Sequence, residues 1–277
     1  MDGAIHYEAE PERQLIRTGP IELRDRGPNG RPLGTPADCE DDDSPWELHR
    51  GELVETPMSH NAHATVIGII SNLFGTHARD EYSNKVDVHC VLDDAFGESR
   101  RAPDVVLIRE LKLPDVDGPL RGVPILAVEV RATQAKKYLE EKVKLYLEHD
   151  WPTVWIVHTE RHEVEIVQHG LAPVVYRPGA NVPLVPELDK YGLSSLPVNA
   201  FFDKLEASKY IDRWAEAQGH QRGIATSLLA VLEARGIRIT AAVRKRIDAC
   251  NDVNALQRWL LLAATATNLD AFVEGMG

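Results

Sequence analysis

The strongest constraint on how this chain can fold lies between Val123 and Tyr146. An apolar run, Pro124-Ile125-Leu126-Ala127-Val128, is long enough for a buried strand and too short for a buried helix. Glu129 interrupts it, and Val130 and Arg131 follow. A polar turn, Ala132-Thr133-Gln134, then leads into a segment with Leu139, Val143, Tyr146 and Leu147 at helical spacing. At about 100° per residue, Lys142 falls within roughly 60° of Leu139 and borders that apolar stripe. A strand ending in an acid therefore feeds a helix that turns a lysine inward. Burying a lone charge is expensive, so the two groups are expected to neighbour each other or an ion. The plainer alternative leaves Glu129 in water at a strand end and lets Lys142 extend along its own methylenes to solvent. A third group weighs against it: Asp104 stands at the mouth of another fully apolar strand, Val105-Val106-Leu107-Ile108.

Around this centre the patterns alternate between strand and helix. Trp46–Glu55 reads as a hairpin turning at Arg50-Gly51. Ser59 or Asn61 is a candidate cap for a helix with His63, Val66, Ile67, Ile70, Leu73 and Phe74 on one face. His63 is expected to point into the core; a metal shared with His60 lacks a third ligand nearby and is discounted. Val86–Leu92 alternates as one strand and turns at Asp93–Gly97. Thr153–His158 and His162–Val167 form a second hairpin, with Val174–Tyr176 as an edge. The expected class is α/β (α+β), a mixed sheet flanked by helices.

Composition sets the boundaries. Residues 1–44 are acidic, rich in Pro and Gly, and lack apolar periodicity, so they are expected to form a disordered or loosely packed arm. Residues 45–202 carry the strand and helix signals of the core. From 203 to 277 strand signals vanish, leaving an all-helical extension. Its helices are expected near Phe202–Glu216, Gly223–Ala234, after a Thr240 cap, from Asn251-Asp252 and from Thr267-Asn268. Three widely spaced cysteines, no 20-residue apolar run and no apolar leader core point to a soluble protein of a reducing, cytoplasmic compartment. The net charge of −12 speaks against a broad nucleic-acid footprint and leaves only local basic contacts.

Pro103-Asp104 followed by Glu129 at the end of an apolar strand resembles the signature of the PD-(D/E)XK, restriction-endonuclease-like superfamily. Within it the chain is most similar to the Uma2 family of bacterial endonucleases. The matching pieces are Trp46-Glu47-Leu48, Gly51-Glu52-Leu53-Val54, His63 with Val66 and Ile70, Pro103-Asp104-Val105-Val106, Glu129-Val130, Lys142 with Tyr146, and Val154-Trp155-Ile156-Val157. They run in order from Pro45 to Phe202.

The resemblance implies a restriction-endonuclease-like core and a metal-dependent endonuclease acting on nucleic acid, with DNA as the expected substrate. Asp104 and Glu129 would hold Mg²⁺ (or Mn²⁺), the Val130 carbonyl adding a ligand. Lys142 would orient or help deprotonate the attacking water. Glu52, with Glu47 as second choice, would complete the acidic cluster, and His63 would line the pocket. Two departures stand out. Arg131 occupies the place of the usual E-x-K lysine and suits a phosphate clamp better than a base. Tyr138 replaces an aspartate usual one turn before the helical lysine.

Arg100, Arg101, Arg131, Lys136, Lys137 and Lys144 surround the acids in sequence and are candidate phosphate contacts, or simply solvated charges. No helix-turn-helix, zinc finger or glycine-rich phosphate loop supports sequence specificity. The alternative is a catalytically degenerate fold kept as a nucleic-acid- or protein-binding module. Glycoside hydrolysis by paired carboxylates is a third reading, weakened by only 6% aromatic residues. No membrane contact is expected, and a homodimer through the helical tail stays open.

Overall fold

A computed structural model describes residues 17–40, 44–56, 61–95, 97–110, 118–132, 136–189 and 194–277. The strands are β1 (Trp46–His49), β2 (Glu52–Glu55), β3 (Tyr82–Val86), β4 (Cys90–Asp94), β5 (Gly97–Arg101), β6 (Val105–Arg109) and β7 (Leu120–Arg121). They continue with β8 (Leu126–Arg131), β9 (Thr153–His158), β10 (Glu163–Gln168), β11 (Val174–Tyr176), β12 (Asn181–Pro183) and β13 (Ser195–Pro197). Helices are α1 (Asn61–His77), α2 (Lys136–Glu148), α3 (Lys204–Ala234), α4 (Ala241–Asp248), α5 (Val253–Thr265) and α6 (Leu269–Gly275). The chain divides into two compact units. The first comprises Met1–Met58, His89–Ala102 and Asp117–Gly122; the second holds the remainder.

The first unit is a five-stranded sheet in the order β2-β1-β5-β4-β7. Its β1–β2 hairpin turns at Arg50 and Gly51 as the sequence predicts, both at positive φ (52° and 78°). That geometry matches the strands' own twist and favours glycine at the second position. Leu48 and Leu53 meet across the hairpin and bury Cys39 with them. Residues 17–40, expected within a disordered or loosely packed arm, form short 3-10 turns at Ile21–Leu23 and Pro36–Cys39 and bury Leu33. The buried Arg24–Asp38 ion pair (2.7 Å) helps hold them. The acidic run Asp41-Asp42-Asp43 and residues 1–16 lie outside the described residues, as do Ser59 and His60.

The second unit carries a six-stranded sheet, β11-β10-β9-β8-β6-β3. β8 pairs parallel with β9 and antiparallel with β6, so this is the mixed sheet expected. The parallel step needs a crossover, and α2 supplies it. One sheet face packs Val105, Leu107, Val128, Val130, Trp155 and Val157 against Ile70, Leu73 and Phe74 of α1. Each such side chain contributes roughly 1.5–3 kcal/mol on burial. Trp155 sits edge-on to Phe74 (5.7 Å) and Phe201 (5.8 Å), a favourable ring geometry.

Two element boundaries differ from the sequence pattern. Val86–Leu92 is not one strand: Asp87 takes a positive φ (49°), ending β3, and β4 starts at Cys90 in the other sheet. Phe202–Glu216 and Gly223–Ala234 are not two helices but the single 31-residue α3, capped by Asp203. Gly219 and Gly223 keep negative φ, so they weaken the helix without stopping it. Gly236, at φ 72°, follows the helix end. Thr240 caps α4 as predicted, and of the pairs Asn251-Asp252 and Thr267-Asn268 the second residue is the cap in each case. Residues of α3 to α6, among them Leu228, Leu232, Ile247, Leu256 and Phe272, build a second hydrophobic core.

Candidate active site

The end of β8 gathers the predicted residues of the second unit. Register between β6 and β8 pairs Val105 with Val128, which brings Asp104, just before β6, level with Glu129. The Val130 N–H donates to Asp104 Oδ2 at 2.5 Å. A strand residue directs its N–H and C=O to the same side. The Val130 carbonyl therefore faces the side on which Asp104 lies. His63, from the first turn of α1, places Nε2 3.3 Å from the same Asp104 oxygen.

Alternation puts Val128 and Val130 into the α1 core and leaves Glu129 on the opposite face, under α2. There both carboxylate oxygens meet donors from one helical face. Lys142 Nζ donates to Oε2 at 3.0 Å, and Tyr146 Oη, one turn on, to Oε1 at 2.9 Å. All three side chains are buried: Glu129 is 1% exposed, Lys142 3% and Tyr146 0%. The Tyr146 ring stacks on Trp151 with centroids 4.1 Å apart and planes 9° from parallel. Lys142 Nζ also lies 5.7 Å from the centre of the Tyr138 ring, so the residue standing in the aspartate's place offers a cation–π face.

Burial works against a charged His63. The hydrogen bond to Asp104, together with the charges of Asp104, Asp87 and Glu129, outweighs that and lifts its pKa above the usual histidine value. Asp87, whose backbone N–H donates to the Asp104 carbonyl (3.4 Å), thus belongs to the same electrostatic neighbourhood. The sequence reading singled out neither Asp87 nor the donor role of Tyr146. For Tyr146 a signal existed, since it lies four residues from Lys142 and shares its helix face.

Among the described residues, no three His, Cys, Asp or Glu side chains converge as a metal-holding group. Glu47 and Glu52 each have partners of their own within the first unit. Glu52 accepts from Asn29 through both oxygens, the backbone N–H at 2.9 Å and the side-chain amide at 2.6 Å. A side chain at Gly27 would run into that carboxylate, so the 27–31 turn rests on it. Glu47 accepts from the Ala102 N–H (2.8 Å) and lies 3.3 Å from Arg101 Nε, both side chains buried. In donor type, Asp104, Glu129 and the Val130 carbonyl offer oxygen atoms, the kind of ligand a small hard cation takes.

The expected phosphate contacts divide. Arg101, fully buried with Glu47, does not reach solvent; Arg100 is 8% exposed and pairs with Glu98 (2.7 Å) and Glu40 (3.6 Å). Strand β5 turns both inward, which adjacency in sequence does not show. Lys136, Lys137 and Lys144 are exposed on α2, each within 4 Å of a glutamate one turn on. Arg131 lies one pleat beyond Glu129, partly exposed, at a cavity of about 390 Å³ between α2 and the β9–β10 strands. Leu139, Val143, Ile156 and Val167 line that cavity, as do His158 and its partner Glu165 (3.0 Å).

A family model described as "Uma2: Putative restriction endonuclease" matches residues 36–199, more than half of the chain. The chain belongs to the Uma2 family. Five chains among solved structures also match. One is a crystal structure from Anabaena variabilis described as "a putative nuclease belonging to DUF820". It has a TM-score of 0.50 and 16% identity, covering 58% of this chain and 92% of that one. At that identity the likeness is one of fold, and it bears out the mixed α/β nuclease architecture. No curated protein matches. The Uma2 match spans Asp104, Glu129 and Lys142 and ends before α3, so the helical extension lies outside it. No helix among the described residues is long and apolar enough to cross a membrane.

Proposed function

We propose that this Uma2 protein is a metal-dependent endonuclease that hydrolyses phosphodiester bonds of nucleic acid, with DNA as the expected substrate. The observation that carries the reading is one buried locus. Asp104 is tied to the main chain of Val130, and the adjacent Glu129 is tied to Lys142. Membership of a family described as restriction endonucleases supports the nuclease class.

Asp104, Glu129 and the Val130 carbonyl would hold Mg²⁺ or Mn²⁺. Bound there, the ion would lower the pKa of a water and offset charge on the pentacoordinate phosphorus. The chain's own groups do the rest. Lys142 donates toward the acids and stands where it can orient the nucleophile and oppose developing negative charge. Its hydrogen bond to Glu129 casts it as a donor first and a base second. His63 holds Asp104 in one rotamer. Arg131 would clamp a neighbouring phosphate and, being always protonated, would take no part in proton transfer.

A second reading, a binding module without catalysis, is favoured by Tyr138. An aromatic face over Lys142 replaces an acid there. One assay separates the two: supercoiled plasmid and single-stranded oligonucleotides incubated with Mg²⁺ or Mn²⁺, with EDTA, and with Asp104→Ala. Nicking that requires the ion and Asp104 supports the nuclease. Cleavage that survives EDTA or Asp104→Ala overturns this site. DNA binding with no cleavage under either ion selects the binding module.

A further inference from the structure

We infer that Tyr146 is a positioning residue for Glu129, sharing with Lys142 the task of presenting that carboxylate to a divalent ion. This rests on the nuclease reading for its purpose, though not for its geometry. Two donors four residues apart on α2 reach the two oxygens of one carboxylate, Lys142 at Oε2 and Tyr146 at Oε1. Their chemistry is complementary. The ammonium balances the buried charge but rides on a flexible four-carbon stem. The phenol adds no charge, yet its oxygen is held by a rigid ring with only two torsions.

That ring is itself fixed. It is fully buried and lies flat on Trp151, at the start of the loop that leads from α2 into β9. The Trp151 N–H in turn donates to the Tyr146 carbonyl at 3.1 Å. A chain of fixed parts thus runs from the helix end to one carboxylate oxygen. With a single donor, Glu129 could swing about its terminal torsion, which is broad and two-fold for a carboxylate. With two donors on opposite oxygens that rotation is closed. Each of the two oxygens thus has a donor from α2 that fixes the plane of the carboxylate. Outer partners that orient ligands in this way typically change ion affinity by about 10–100-fold when removed.

Tyr146→Phe tests this because it deletes the hydroxyl and keeps the stack on Trp151. Mn²⁺ binding to the full chain is followed by calorimetry and by the Mn²⁺ electron paramagnetic resonance signal. The thermal transition is recorded alongside, and metal-free crystal structures of both proteins are compared. The expected result is Mn²⁺ affinity lower by about 10–100-fold, at a temperature where the variant is fully folded, with Glu129 in a new or split rotamer. Trp151→Phe, which retains a ring for Tyr146 to lean on, is expected to lie between the two. Unchanged Mn²⁺ affinity with only a lowered transition temperature overturns the inference and leaves Tyr146 a packing residue. If the wild type takes up no Mn²⁺, the nuclease reading falls. Positioning is then decided by the crystal structures alone, and an unmoved Glu129 in Tyr146→Phe overturns it too.

Discussion

Lys142 and Glu129 lie 3.0 Å apart and are almost wholly removed from solvent, so each is the other's means of staying charged. Removing one member of such a buried pair leaves an uncompensated charge and costs about 3–5 kcal/mol. Lys142→Ala is therefore expected to lose both cleavage, by ~10²–10⁴-fold, and stability on that scale. Lys142→Met combined with Glu129→Gln should recover most of the stability and none of the cleavage. Urea unfolding beside a plasmid-nicking assay checks both; a single Lys142→Ala variant as stable as the wild type contradicts the burial argument. The sequence made this pair legible because the acid interrupts an apolar run and the lysine borders an apolar helical stripe. It could not show that Glu47 faces Arg101 or Glu52 faces Asn29. Those partners lie 54 and 23 residues away, and no periodicity links them.

At the scale of elements, patterns with a strong local cause were readable. The β1–β2 turn needs two positive-φ residues and has Arg50-Gly51, and the predicted caps of α4, α5 and α6 stand where their helices begin. Failures came where local signals were overridden. Alternation runs unbroken through Asp87, whose left-handed backbone nevertheless ends β3, and β4 joins a different sheet. Gly219 and Gly223 look like helix breakers, yet α3 passes through both. Ala207 of that helix belongs to one hydrophobic cluster and Ile224, Leu228 and Leu232 to the other, so packing at both ends carries the middle. A β-carbon at either glycine would meet nothing within 4 Å. Gly219→Ala and Gly223→Ala should therefore each stabilise the protein by about 0.5–1 kcal/mol, read as a raised urea midpoint at constant slope. A lowered midpoint would show that the helix needs the flexibility there.

For the whole molecule, one buried histidine sets part of the response to acid. His77 is 1% exposed at the end of α1, and burial holds its pKa down at about 4, against 6.5 for the free side chain. The folded protein keeps it neutral while the unfolded chain takes up a proton, so stability falls as pH drops from about 6.5 towards 4 and levels off below that. Taken at face value, 2.5 pH units correspond to about 3 kcal/mol, an upper bound. His77→Leu should flatten that limb of the stability–pH curve between pH 4 and 6.5; an unchanged slope would assign it to other groups. The acidic surface acts differently. Arg100 and Arg101 are withdrawn inside, and the net charge of −12 repels phosphate at long range.

Strand β8 has bonded neighbours on both sides, β6 on one and β9 on the other, so it presents no open ladder along most of its length. An amide held in that way exchanges with solvent only when the surrounding sheet comes apart. Glu129 and Val130 belong to this strand, and Asp104 is tied to it by its own hydrogen bond. Heat or denaturant should therefore spare the carboxylates' arrangement until the unit as a whole gives way, and loss of activity should coincide with global melting rather than precede it.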